Sequence, residues 1–102
     1  MGCHIFSTPL RGLGLGLPRQ VTSHGPAPVY GSWPVQSRIQ YVFSGTPHTA
    51  GETVDFWWYD GAERPPQSVI DAVGGKLPSA GVVMIGTEGA ILLPHIDYPS
   101  LH

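Results

Sequence analysis

A chain of 102 residues is one domain or less, and a compact fold of this size buries only about 65% of the surface that its unfolded form exposes. Five Lys and Arg against seven Asp and Glu give a formal net charge of -2 without a basic run, which argues against nucleic acid or an anionic membrane as the main ligand. Charged residues make up 12% of the chain, about half the usual fraction, so much of the surface must be uncharged or covered by a partner.

Targeting and cross-linking features are few. No stretch approaches the roughly 20 apolar residues of a membrane span, and the first residues lack the pattern of a signal peptide. We therefore expect no membrane partner and a cytoplasmic location by default. The single cysteine, Cys3, excludes an internal disulfide and leaves the compartment undecided.

The start of the chain predicts one short helix. Apolar residues in positions 1–17 recur at helix-like spacings, but Pro9 is expected to limit a continuous helix to a first turn that begins near Ser7 or Thr8. Glycines at every second position from Gly12 then end it. A dinucleotide fingerprint needs G-x-G-x-x-G after a strand, whereas G-x-G-x-G here runs into Pro18, which argues against phosphate binding.

Three segments in the middle of the chain predict strands. Gln20 to His24 is a short candidate, followed by a Pro/Gly loop to residue 34. Gln36 to Ser44 alternates, with apolar side chains on one face and polar ones on the other. Glu52 to Gly61 carries aromatic rings on both faces, and we therefore interpret it as the central strand of the sheet. Its outer pair, Trp57 and Tyr59, suits a cleft wall or a subunit contact.

The last third predicts a helix and a hairpin. Pro65 and Pro66 stand where a helix of about two turns would begin, and two glycines stop it after Val73. Apolar runs at 82–85 and 90–93 predict a hairpin, with Gly89 supplying a positive φ angle. The residues after the hairpin are expected to form neither helix nor strand. These elements predict an α+β fold with an open mixed, largely antiparallel sheet and one or two short helices.

Few residues suggest a metal or a nucleophile. None of the five histidines pairs with another ligand at a recognised spacing except the adjacent Cys3 and His4, so no metal site is predicted. Cys3 is interpreted as a small buried apolar residue rather than a nucleophile. His95 and Asp97 are interpreted as a solvated pair in an exposed loop.

Four motifs occur in an order that resembles one enzyme family. MGCHIF stands at the start, LGLGLP follows it, WWYDG precedes two prolines, and IGTEGAILLP lies near the end. Together they look like the C-terminal domain of the Gfo/Idh/MocA oxidoreductases, in the bacterial form of that domain. The resemblance covers nearly all of residues 1–102 and depends on the order and spacing of the motifs.

The resemblance implies a two-part enzyme. In this family an N-terminal Rossmann domain binds NAD or NADP, and a C-terminal α/β domain with an open mixed sheet walls the substrate site and often mediates oligomerisation. Residues 1–102 correspond to part of the second domain. The implied reaction moves a hydride between a sugar-like alcohol carbon and the cofactor. Alone, the chain is expected to bind no cofactor and to be inactive, because the cofactor glycines and the lysine of the E-K-P motif are missing.

The resemblance also implies one catalytic residue, His4. It matches the family's histidine beside the nicotinamide ring, which assists proton transfer. The aspartate that precedes this histidine by one helical turn would fall just before Met1. Ser7 stands where the family commonly has another aspartate, and so departs from the usual polarity of the site.

Two other functions stay open beside the enzyme domain. A stand-alone β-rich interaction module would use the sheet to self-associate or to complete a partner subunit. A small sugar-binding module would use Trp33, Trp57 and Tyr59 as stacking platforms. The enzyme interpretation itself predicts a homo-oligomer through the open sheet and a sugar-like substrate once a Rossmann domain is present.

Overall fold

The computed structural model describes residues 2–25, 31 and 36–102. The predicted α+β class is confirmed, with two short helices and two small antiparallel sheets. The elements in chain order are α1 (Gly2–Gly12), β1 (Gln20–Ser23), β2 (Ser37–Ser44), β3 (Thr53–Asp60), α2 (Gln67–Ala72), β4 (Gly81–Ile85), β5 (Ala90–Pro94) and β6 (Ser100–Leu101). The loop predicted after β1 lies mostly outside the described residues, and Tyr30 and Trp33 lie there too.

The first sheet has the order β1-β2-β3, and both strand pairs are antiparallel. Alternation in β2 and β3 is confirmed, since the register pairs Tyr41 with Phe56 on one face and Gln40 with Trp57 on the other. The prediction that the Glu52 to Gly61 strand is central is wrong, because in the described chain β3 pairs with β2 alone. Aromatic rings on both faces of a strand indicate that both faces of the sheet are covered. They do not indicate how many strands pair with it in the sheet.

Helix α1 runs through Pro9, so the expected limit at the proline is wrong. An internal proline lacks the N–H that would bond to the Ile5 carbonyl and costs about 3 kcal/mol. Here Pro9 is fully buried and Ile5 is 8% exposed, and burial of side chains of this size offsets such a cost at about 1.5–3 kcal/mol each. Tertiary packing therefore overrides the local penalty.

The predicted glycine stop of α1 is confirmed. Leu15 N donates to Leu10 O at 2.9 Å and Gly14 N donates to Arg11 O at 3.3 Å, while Gly14 has a φ of 67°. This is the Schellman arrangement, in which the residue after the helix turns left-handed so that the last carbonyls find donors. A glycine is favoured at Gly14 because it has no Cβ to clash in that conformation.

Helix α2 begins after Pro66 and is confirmed at six residues. Gly75 N bonds to Ile70 O and Gly74 N bonds to Asp71 O, with a φ of 90° at Gly74, so the same left-handed stop ends this helix. Val73 is 3% exposed and anchors the end of α2.

The second sheet has the order β4-β5-β6, again antiparallel, and the predicted β4–β5 hairpin is confirmed. Two expectations here are wrong. The chain end does form a strand, because His102 and Ala90 exchange backbone hydrogen bonds at 2.8 and 2.9 Å. Gly89 does not have a positive φ; instead a Cβ on it would lie 2.7 Å from His102 O, so glycine permits the close approach of the chain end.

Helix α1 links the two sheets. Its Phe6 ring meets Phe56 at 4.8 Å, Trp58 at 5.1 Å and Tyr41 at 5.7 Å between ring centroids, all edge to face. The same helix contacts β4 of the second sheet, and so does α2. The core is small: the buried apolar side chains among the described residues are Ile5, Pro9, Phe43, Val73 and Ala90. None of the described helices has the length and apolar character needed to cross a membrane.

Candidate functional site

The outer face of the first sheet brings polar and aromatic side chains from three strands together. We call this group the outer-face cluster; it consists of His24, Gln40, Asp55, Trp57 and Tyr59. His24 follows β1 and extends its pairing by one residue, because its N–H donates to the Arg38 carbonyl at 2.7 Å. Cross-strand pairing of Gln40 with Trp57 then places the remaining members beside it.

A chain of hydrogen bonds crosses the cluster. Gln40 Nε2 donates to Asp55 Oδ1 at 3.5 Å, so Gln40 Oε1 is turned toward His24 Nε2, 3.1 Å away. Because an amide oxygen only accepts, His24 must carry its hydrogen on Nε2. In the neutral imidazole, Nδ1 then has no hydrogen and can accept a hydrogen bond from a bound group.

Aromatic rings form the second part of the cluster. The Trp57 and Tyr59 rings stack with 17° between their planes and 6.2 Å between centroids, and His24 lies 5.0 Å from Trp57. Trp57 is 36% exposed. Rings of this kind combine an apolar body with a polar tip, which suits contact with another protein surface or with a flat ligand.

Burial raises the pKa of Tyr59 above its ordinary value of 10.0. The positive charge of Arg38 lowers the pKa, and the negative charge of Glu63 raises it further, but burial is the largest cause. Tyr59 therefore keeps its proton at neutral pH and presents a hydroxyl that donates as well as accepts.

A cavity of about 280 Å³ lies where the two sheets and α1 meet. Residues 56–60 of β3 and residues 77–83, which lead into β4 and form its first three positions, line it consecutively. Successive side chains of a strand point to opposite faces, so backbone as well as side-chain atoms of these segments contribute to the wall. The rest of the wall is mostly apolar: Ile5, Phe6, Glu63, Arg64, Pro65, Val69 and Leu92.

His4, the predicted catalytic residue, is exposed on the first turn of α1. Its ring meets His95 edge to face with 5.8 Å between centroids, and both line a small pocket of about 80 Å³. The described residues of this pocket include no carboxylate that could orient His4. Ser7 is exposed on the same helix. A catalytic role for His4 therefore stays a prediction.

The exposure of Cys3, His95 and Asp97 tests the interpretations of these residues. The interpretation of Cys3 as buried is wrong, because its side chain is exposed near the start of α1. His95 and Asp97 are both exposed, as predicted, and Asp97 Oδ1 accepts a hydrogen bond from Tyr98 N at 2.7 Å. In the part of the chain that the structure describes, no three His, Cys, Asp or Glu side chains form a group able to hold a metal ion.

Sequence reasoning missed most of the outer-face cluster. Alternation along β2 and along β3 assigns Gln40 and Trp57 each to one face of its own strand. That the two residues are neighbours on the same face of the sheet follows only from the register of the β2–β3 pair. The loop of residues 45–52 fixes that register, and its length is readable while its conformation is not. Trp33, the third platform of the sugar-binding hypothesis, lies outside the described residues.

Comparison with protein family models, characterised proteins and solved structures finds no match to this chain. The resemblance to the Gfo/Idh/MocA oxidoreductases stays a prediction from the four motifs.

Proposed function

We propose that this chain is a β-rich interaction module that self-associates. The observation that carries the proposal is the large solvent-accessible surface area of this chain. A folded monomer of 10.9 kDa exposes about 5,600 Å² by the scaling of surface with mass. This chain exposes 7335 Å². The difference, about 1,700 Å², falls within the range that one subunit buries in an obligate dimer, roughly 1,000–2,500 Å².

The exposed apolar side chains support the same proposal. Ile96, Tyr98 and Leu101 are 90%, 88% and 81% exposed, and Leu17 is 91% exposed. Single exposed apolar residues are ordinary on a monomer. Here they accompany a core in which few large side chains are buried, so the chain forms less apolar contact than its composition allows.

The low charge of the chain also favours self-association. With 12% charged residues and a net charge of -2, two copies repel each other weakly. An interface formed by apolar and uncharged surface would also be insensitive to salt, because screening acts on charges. We therefore expect association to persist at high ionic strength.

Thermal unfolding across a hundredfold range of protein concentration tests the proposal. A chain that folds and associates together shows a midpoint that rises with concentration, because association stabilises the folded state by mass action. We expect that rise at low and at high salt. A midpoint that stays constant across the range would show that the folded monomer is self-sufficient and would refute the proposal.

A second candidate function is the substrate-side domain of an NAD(P)-dependent oxidoreductase acting on a sugar or polyol. The position of His4 favours it, since an exposed imidazole at a pocket wall is accessible to a substrate. In an enzyme that contains this chain and a Rossmann domain, His4→Ala should lower turnover about 10²- to 10⁴-fold with little loss of stability. Turnover within a factor of two would leave His4 without a catalytic role.

The isolated chain offers a separate check of that candidate. Its glycines do not form the loop that cradles a dinucleotide, so fluorescence titration with NADH or NADPH should show no saturable binding. Saturation at micromolar cofactor would contradict the assignment of residues 1–102 to the substrate side.

A further inference from the structure

The free edge of β3 is defined by the hydrogen bonds of its other edge. Gly45 N donates to Glu52 O at 2.8 Å, which makes this a hydrogen-bonded pair of the antiparallel ladder. Such pairs alternate along the ladder, so Val54, Phe56 and Trp58 direct their backbone groups toward β2. The backbone N–H and C=O groups of the alternate residues point away from β2; these residues are Thr53, Asp55, Trp57 and Tyr59.

This edge carries few of the features that usually prevent pairing with another chain. Natural edge strands are shortened, bulged, or marked with Pro or with charged residues, especially Lys. Strand β3 has eight residues, pairs with β2 in an unbroken register and contains neither Lys nor Pro; its charged residues are Asp55 and Asp60. By contrast, the opposite edge strand of the same sheet, β1, has four residues. Edge pairing is therefore expected at β3.

We propose that β3 pairs with β3 of a second copy of this chain, antiparallel and about a two-fold axis, so that two three-stranded sheets become one of six strands. The proposal rests on the proposed self-association and names its surface. An isologous contact needs a surface that is complementary to itself, and an antiparallel strand edge meets that need.

The outward-facing groups select one register. With Phe56 on the axis, Thr53 lies opposite Tyr59 of the second copy and Asp55 lies opposite Trp57 of the second copy. All four outward-facing residues then find partners within β3, and no aspartate faces another. Moving the axis to Trp57 places Thr53 opposite Gly61, which lies beyond the strand.

The cavity beside this edge agrees with the pairing. It is lined by residues 56–60 of β3. A two-fold axis perpendicular to the sheet keeps the apolar faces of both copies on the same side. Trp58 of the second copy is then brought opposite Val54.

Disulfide cross-linking tests the register. The variant carries Thr53→Cys and Tyr59→Cys together in a Cys3→Ser background. The cysteine at position 53 of one copy then lies opposite the cysteine at position 59 of the other, with about 5.5 Å between their Cα atoms, which is within disulfide reach. Within one chain they stand six residues apart on one strand, about 20 Å, so a bond forms only between chains. We expect a covalent dimer from the double variant and none from either single variant, in which the cysteines are again about 20 Å apart.

Asp55→Pro gives an independent test of the edge. It removes an outward N–H and leaves the β2 ladder intact, whereas the matched control Asp55→Ala keeps the donor. We expect Asp55→Pro to raise the dissociation constant of the dimer at least about tenfold and Asp55→Ala to leave it within a factor of about three. A dimer that resists Asp55→Pro and does not cross-link would overturn the edge proposal and leave self-association standing. A parent chain that is monomeric would overturn both.

Discussion

Phe6→Ala tests whether one ring holds α1 against the first sheet. Phe6 makes edge-to-face contacts with Phe56, Trp58 and Tyr41, and it is half-buried. Truncation of a fully buried Phe to Ala costs about 3–5 kcal/mol. Partial exposure reduces the transfer part of this cost, while the loss of aromatic contacts adds to it, so we expect about 2–3 kcal/mol.

The assay is denaturant or thermal unfolding at fixed protein concentration, because association contributes to stability. A loss of this size lowers the midpoint by roughly 10–20 °C in a domain of about 100 residues. Ser7→Ala is the matched control, since Ser7 is exposed on the same helix and its truncation should change stability by less than about 0.5 kcal/mol. A Phe6→Ala loss as small as the control's would refute the claim that this ring anchors α1.

Two further predictions concern local features. Gly14→Ala should cost about 1–2 kcal/mol, because φ is 67° there, whereas Gly16→Ala, with open space around it, should change unfolding free energy little; equal effects would contradict the left-handed stop. Folding raises the pKa of Tyr59, so its stabilising contribution is present below the unfolded value of 10.0 and is lost as pH rises through the higher folded pKa. Unfolding measured across that alkaline range should show a smaller decline for Tyr59→Phe than for the parent, and identical declines would contradict the raised pKa.

Local patterns predicted most elements of this fold. Alternation in Ile39 to Phe43 and in Val54 to Trp58 indicates strands, and glycines after apolar runs indicate helix ends, because these signals depend on neighbours in sequence. The course of α1 through Pro9 was not predictable in this way. It depends on burial of Pro9 and Ile5 in the folded chain, and sequence-local propensity carries no information about that burial.

The positions of elements relative to one another were harder to predict. Whether β3 is central or at an edge depends on the strands that pair with it in the plane of the sheet. Its side chains point above and below that plane and therefore give no information about those strands. The two-residue strand β6 is held by backbone hydrogen bonds between His102 and Ala90, which are far apart in sequence. The residues from Tyr98 to Leu101 show no pattern that would predict such a strand. The outer-face cluster needed the same long-range register.

Sedimentation velocity of the unmodified chain at tens of micromolar tests the central claim of self-association most directly. The surface that this chain exposes beyond that of a monomer of its mass predicts a dimer or larger assembly, with a proportion that grows with concentration. A single folded monomer that sediments identically across the concentration range would contradict the claim.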